Sequence, residues 1–326
     1  MKRISLLLAA LLLCSCAAPK SAAAPLPAET EATATWAAAQ PASEPTVSAA
    51  VYEPPEPPKG IVLEPEAPGT LEKRCAEAVI DYSNTTDGYV MVRYQAQTDK
   101  RLKVLIKGPK TTYNYNLPPD TWTAFPLSDG EGTYQAGVYR NTTGSKYAVV
   151  LTAEFSVTLT DEFAPFLRPN QYVDYSVAPD TVAMGAALCA GLNQPLEKVA
   201  AVYDYVVANL TYDDHRAATV KSGYLPVLDQ VLAEKKGICF DYAALMTAML
   251  RSQKVPCKLV VGYAGEVYHA WISVWTEEDG WVDGVIFFDG HTWKRMDPTF
   301  ASSGGRSEQI MRFIENNGNY TVKYLY

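Results

Sequence analysis

Gly237-Ile238-Cys239-Phe240-Asp241-Tyr242-Ala243 is the stretch on which the reading of the chain turns. Lys235 and Lys236, just before it, suit the last turn of a short helix, and Gly237 supplies the stop past its end. From Phe240 to Gln253 the residues favour a helix that is apolar nearly all round, through Ala243, Ala244, Leu245, Met246, Ala248, Met249 and Leu250. A helix of that kind belongs in a core. Cys239 falls in its first turn. The N–H groups and partial positive charge at a helix N-terminus favour an anionic sulfur and can hold a developing oxyanion.

Two later stretches answer this one. Val267 to Trp275 alternates, placing His269, Trp271, Ser273 and Trp275 on one strand face and Tyr268, Ala270, Ile272 and Val274 on the other. The second face reads as core, and the first is free to line a cleft. Asp289-Gly290 signals a hairpin turn into the next strand run, Thr292 to Met296, which ends at Asp297 before Pro298. Cys239, His269 and Asp297 are the residue types a thiol acyl-transfer site needs: a nucleophile, a base and a group to orient the base. Taken singly, each has a plainer use. A cysteine opening an apolar helix packs as a small hydrophobe, a strand histidine is a satisfied polar residue, and an aspartate before proline makes a turn.

From about Val199 to Phe300 the chain resembles the transglutaminase-like family, whose core is related to papain-type cysteine peptidases. The resemblance is carried by Gly237 to Ala243, the apolar helix after it, Val255 to Tyr263, His269-Ala270-Trp271 and Asp297-Pro298-Thr299, in that order. It implies an α+β papain-like core of a buried helix on an antiparallel sheet. It also implies that Cys239 is the nucleophile, His269 the base and Asp297 the orienting acid of acyl transfer at amide bonds, with no cofactor. The family's extra oxyanion-hole side chain has no assigned counterpart here. Hydrolysis of peptide or peptidoglycan-linked amides is the leading expectation. Protein-glutamine transamidation and a non-catalytic surface-binding module on the same fold are the alternatives.

The remaining sequence sets the context. The 326 residues allow two domains and a tail, and a net charge of −8 argues against a nucleic-acid partner. Lys2-Arg3, the apolar run Ile4 to Leu13 and the box Leu13-Cys14-Ser15-Cys16 read as a lipoprotein signal over residues 1–16, with Cys16 the lipidated residue. A lipid tether to the outer face of a bacterial membrane is therefore expected. Residues 17–70, rich in Ala, Pro and Glu, read as a disordered spacer. Residues 71–162 read as an antiparallel β-sandwich, with strands over Arg74–Ser83, Tyr89–Ala96, Leu102–Lys107, Thr111–Leu117, Trp122–Phe125, Gly132–Arg140 and Tyr147–Thr158. Residues 163–326 hold the α+β domain, with Tyr320–Tyr326 as a last strand closing its sheet. Cys75 and Cys189 are left to pair or not, and Cys257 reads as buried and inert. Asp213-Asp214-His215 reads as a solvated loop rather than a metal site, and no zinc-like spacing occurs elsewhere.

Overall fold

The computed structural model describes residues 59–277, 280–283, 286–288, 293–295 and 319–326. Cys16 and Asp297 lie outside the described residues.

Alternating burial builds the N-terminal part. Strands β1 (Glu72–Arg74), β2 (Ala78–Asp81), β3 (Tyr89–Tyr94) and β6 (Thr123–Pro126) form one antiparallel sheet in the order β1-β2-β3-β6. Strands β4 (Leu102–Lys107), β5 (Thr112–Asn116), β7 (Gly132–Thr143) and β8 (Lys146–Val157) form a second, in the order β5-β4-β7-β8. Leu102, Val104 and Ile106 are buried while Lys103, Leu105 and Lys107 are not, which is the period-two signature of a sheet with one covered face. The strand expected over Arg74–Ser83 turns back on itself instead. The Cys75 N–H donates to the Ala78 carbonyl at 2.9 Å, and β1 and β2 pair as a tight hairpin.

Residues 59–70, expected to belong to the spacer, are docked. The Ile61 N–H donates to the Ser252 carbonyl at 2.8 Å, the Glu66 N–H to the Tyr89 hydroxyl at 3.1 Å and the Gly69 N–H to the Asp81 carboxylate at 2.7 Å. A proline-rich segment keeps its few N–H groups for partners outside itself, and here folded elements supply them.

The C-terminal part runs α1 (Pro179–Leu188), α2 (Pro195–Asn209), β9 (Thr211–Tyr212), α3 (Asp214–Thr219), α4 (Leu228–Glu234), β10 (Lys236–Gly237) and α5 (Cys239–Arg251). Then come β11 (Cys257–Ala264), β12 (Val267–Thr276), β13 (Gly280–Asp283), the pair β14 (Ile286–Phe288) and β15 (Trp293–Arg295), and β16 (Tyr320–Leu325). The main sheet is antiparallel in the order β13-β12-β11-β16, so the last strand closes it as expected. From Asp241 to Arg251 every residue of α5 is buried. Helices α1, α2 and α4 pack around it, and β11 and β12 cover its remaining side. Each large apolar side chain fully buried there is worth about 1.5–3 kcal/mol.

Arg251 ends this helix with its side chain fully buried. Its guanidinium donates to the carbonyls of Cys257 at 2.9 Å, Arg168 at 2.7 Å and Tyr326 at 2.7 Å. One cation thus joins β11, the connector after the sandwich and the end of the chain, at a helix C-terminus whose dipole favours positive charge. The α+β class expected from the sequence is the class observed. Cys75 and Cys189 are free thiols, so the pairing left open by the sequence is not formed. Cys257 is fully buried, with its sulfur 3.6 Å from Thr247 Oγ1, and burial pushes its thiol up to about 11.

Candidate active site

Cys239 is the first residue of α5 and is half-buried. The chain reaches it through a constrained approach. The left-handed residue ending α4 is Lys235 (φ 51°), not the expected glycine. Gly237 instead pairs with Tyr212 in the short parallel bridge of β10 and β9. A Cβ at Gly237 would lie 2.6 Å from Asp241 Cβ, so the glycine is required by close approach rather than by a turn.

Asp241, two residues past the cysteine, locks the start of the helix. Its carboxylate accepts from the Ile238 N–H at 2.9 Å and from the Tyr224 hydroxyl at 2.7 Å, and Arg216 Nη1 stands 3.4 Å away. Ile238 has no side-chain acceptor to give in return, so Asp241 caps alone. Burial pushes the Asp241 carboxyl up, against the Ile238, Tyr224 and Arg216 contacts that favour its charge. Arg216 also faces Glu234 at 3.5 Å and Asp213 at 3.8 Å.

Asp213-Asp214-His215 is not a loop. Asp213 is buried and caps α3 by accepting the Arg216 N–H at 2.9 Å, and that bond, with Lys236 and Arg216 nearby, holds its carboxyl low. Among the described residues, no three or more His, Cys, Asp or Glu side chains come together as metal ligands.

Aromatic rings pack around Phe240, the residue after Cys239. Tyr172 lies 5.6 Å from the Phe240 ring and 4.4 Å from the Tyr326 ring, and Tyr224 lies 6.5 Å from Phe240. Tyr268 is close enough to Cys239 to interact with it electrostatically. Burial is the main cause pushing its hydroxyl up, with Tyr324, Tyr263 and Cys239 adding to it.

Burial in β12 does not alternate as the sequence suggests: Ala270, Ile272 and Val274 are buried, but so are His269, Trp271 and Ser273, while Tyr268 is exposed. Ala270, Ile272 and Val274 join the core with α5, while His269 stacks on Trp271 at 6.3 Å. His269 is itself buried, opposite Gly262 in the β11 register. A Cβ at Gly262 would lie 2.0 Å from the Thr321 carbonyl oxygen and 2.9 Å from the Trp271 indole, so the glycine lets β16 and that ring approach. His269 follows Tyr268 on β12, the residue that interacts with the Cys239 sulfur. Among the described residues β13 pairs only with Ser273–Thr276, leaving Val267–Ile272 with no strand on that flank. Asp297 lies outside the described residues.

Sequence reasoning missed Tyr172, Tyr224, Arg216 and the capping role of Asp241. The last was readable, since an aspartate three residues past an N-cap position is a helix-start signal. The tyrosines and Arg216 come from segments with no period to place them.

Residues 183–284 match the model of the transglutaminase-like superfamily. YebA of Bacillus subtilis is 25% identical over 204 residues, which is 53% of this chain but only 26% of that protein's length. A candidate cysteine protease from Cytophaga hutchinsonii is 15% identical with a TM-score of 0.37, covering 78% of this chain and 73% of that one. The periplasmic domain of TgpA from Pseudomonas aeruginosa is 17% identical with a TM-score of 0.33, covering 73% of this chain and all of that one (100%). The matched segment is the one that carries the buried helix, its cysteine and the histidine strand.

Proposed function

We propose that this protein is a thiol enzyme that transfers acyl groups from amides through Cys239, with His269 as base and Asp297 as the group orienting it. The observation that carries the reading is the half-buried cysteine at the first position of a helix buried from Asp241 to Arg251, inside the segment that matches the superfamily. The thiolate of Cys239 attacks the amide carbonyl, and the oxyanion is held by N–H groups at the start of α5. Protonated His269 gives its proton to the departing amine, leaving a thioester on the sulfur. Water then releases an acid in a hydrolase, or a primary amine forms a new amide in a transferase. We favour hydrolysis of peptide or cell-wall-linked amides, by a protein tethered through Cys16 to the outer face of a bacterial membrane.

This reading requires the imidazole and the sulfur to meet beside β12. One observation favours a second reading, a non-catalytic binding module: His269 is buried and stacks on Trp271. Incubation of wild type and Cys239→Ala with peptide and cell-wall fragments, read by mass spectrometry, separates the two. Acyl transfer predicts cleaved or cross-linked products from wild type alone. The binding reading predicts no product from either.

A further inference from the structure

Strands β11, β12 and β16 present a row of tyrosines on the side of the thiol. Tyr268 in β12 is 55% exposed, and Tyr263, its register partner in β11, is 38% exposed. Their rings meet edge to face at 5.5 Å. Tyr268 interacts electrostatically with Cys239 and with Tyr324 of β16. Large rings left open together mark a contact surface, and this one adjoins the reacting atom.

The last strand adds a cation to it. The register of β16 against β11 shifts between Val261 and Gly262, which pair with Tyr324 and Val322, so Lys323 is the extra residue of a β-bulge. A bulge re-aims the side chain it carries. Lys323 Nζ lies 5.9 Å from the centre of the Tyr263 ring and 5.5 Å from that of Tyr324. Among the described residues Lys323 makes no ion pair, and the hydroxyls of Tyr263 and Tyr268 make no hydrogen bond. Glu266, exposed in the adjoining turn, is not paired with the ammonium.

An ammonium and two phenol donors, all open and none engaged by a carboxylate, complement an anion. One ammonium with no arginine beside it matches the single charge of a carboxylate. The ring contacts of 5.9 and 5.5 Å that lead from Lys323 through Tyr263 to Tyr268 span about three or four extended residues at roughly 3.3 Å each. We propose that this shelf selects acidic acyl donors: peptides with a carboxylate side chain within about four residues of the reacting amide, held by Lys323 while the chain lies along Tyr263 and Tyr268. Lys323 then determines specificity and takes no part in the chemistry. The proposal rests on the acyl-transfer reading for the role of Cys239, and it names the substrate class of that same site.

The test is protection of Cys239 in the full chain from iodoacetamide, mapped by mass spectrometry. Two peptides compete: six alanines with glutamate at the centre, blocked at both ends, and the same peptide with glutamine, which has the same shape and no charge. The glutamate peptide is expected to half-protect Cys239 at an about two- to five-fold lower concentration, the worth of one exposed ion pair. The gap should close in about 1 M salt. Lys323→Gln is expected to erase the gap and leave the melting point and the glutamine peptide's protection unchanged. Lys323→Glu should reverse it, and Tyr263→Ala should weaken protection by both peptides. Equal protection by the two peptides, a gap that survives Lys323→Gln, protection by neither in the millimolar range, or better protection by a central phenylalanine than by glutamate would each overturn the proposal. If Tyr263→Ala does not fold, Lys323→Gln decides alone. Turnover separates this proposal from the reading beneath it. A glutamate preference with no amide processed by wild type would remove acyl transfer and leave the shelf standing. Processing of both peptides at equal rates would remove the shelf alone.

Discussion

Replacing Asp241 by alanine tests whether the start of α5 is held from below. The carboxylate caps the Ile238 N–H at 2.9 Å, accepts the Tyr224 hydroxyl at 2.7 Å and faces Arg216 at 3.4 Å. A capping bond is worth about 1 kcal/mol, and a hydroxyl bond to a charged acceptor about 1.5–3 kcal/mol. The pair with the partly exposed Arg216 adds about 0–1 kcal/mol. The cost of burying the charge, which pushes the carboxyl up, offsets part of the sum. The expected loss is about 2–4 kcal/mol, a fall in Tm of about 3–7 °C for a protein of this size. Asp241→Asn keeps the volume and one acceptor, so its loss should be about 1 kcal/mol near neutral pH. The sign of the pH dependence follows from the raised carboxyl. Its favourable contribution is complete below the unfolded value of about 3.9 and is lost as pH rises through the folded value. Wild type should therefore gain on Asp241→Asn as the solution is acidified toward pH 4. Urea titrations of all three proteins across that range read this directly. An alanine variant within about 0.5 kcal/mol of wild type, or an asparagine variant whose deficit widens toward neutral pH, would refute the reasoning.

Arg251→Met removes a buried cation along with its three bonds to carbonyls, and should cost about 3 kcal/mol in urea, with Arg251→Lys recovering only part because a point charge cannot serve all three. Gly237→Ala forces a Cβ against Asp241 and should cost about 1–3 kcal/mol, with slower alkylation of Cys239 at unchanged accessibility of the other thiols. Mass-mapped labelling with iodoacetamide at neutral pH should modify half-buried Cys239 and leave Cys257 untouched until the protein unfolds. Because burial pushes the Cys257 thiol up to about 11, its contribution to stability is complete below the unfolded value of about 8.5 and is lost as pH rises from there through the folded value. Alkaline urea titrations of wild type and Cys257→Ala measure that difference.

Much of the fold was legible where a period was strong. The alternation of Leu102 to Lys107 gave a strand with the right faces, the run Val267 to Trp275 gave a strand but with both faces buried from His269 to Val274, and the apolar run after Cys239 gave the buried helix. Reading failed where the decisive contacts were tertiary. The run Arg74–Ser83 looks like one strand because nothing local marks the turn at Cys75. Residues 59–70 have a disordered composition but dock because Tyr89, Asp81 and Ser252 supply partners that no local pattern announces. Gly237 was read as a helix stop, whereas its lack of a side chain serves Asp241 and the left-handed turn falls to Lys235. At the site, the cysteine and the histidine strand were legible as motifs. The cluster of Tyr172, Tyr224 and Tyr326 about Phe240 was not, because it is assembled from separate segments.

The central claim is that the Cys239 sulfur is served by the His269 imidazole. The most direct measurement is the rate of Cys239 alkylation as a function of pH, in wild type and in His269→Gln. The acyl-transfer account predicts that wild type reacts readily near pH 6, and that the glutamine variant loses at least about ten-fold in rate there, as expected when a thiolate loses its cationic partner. Superimposable profiles for the two proteins would contradict it.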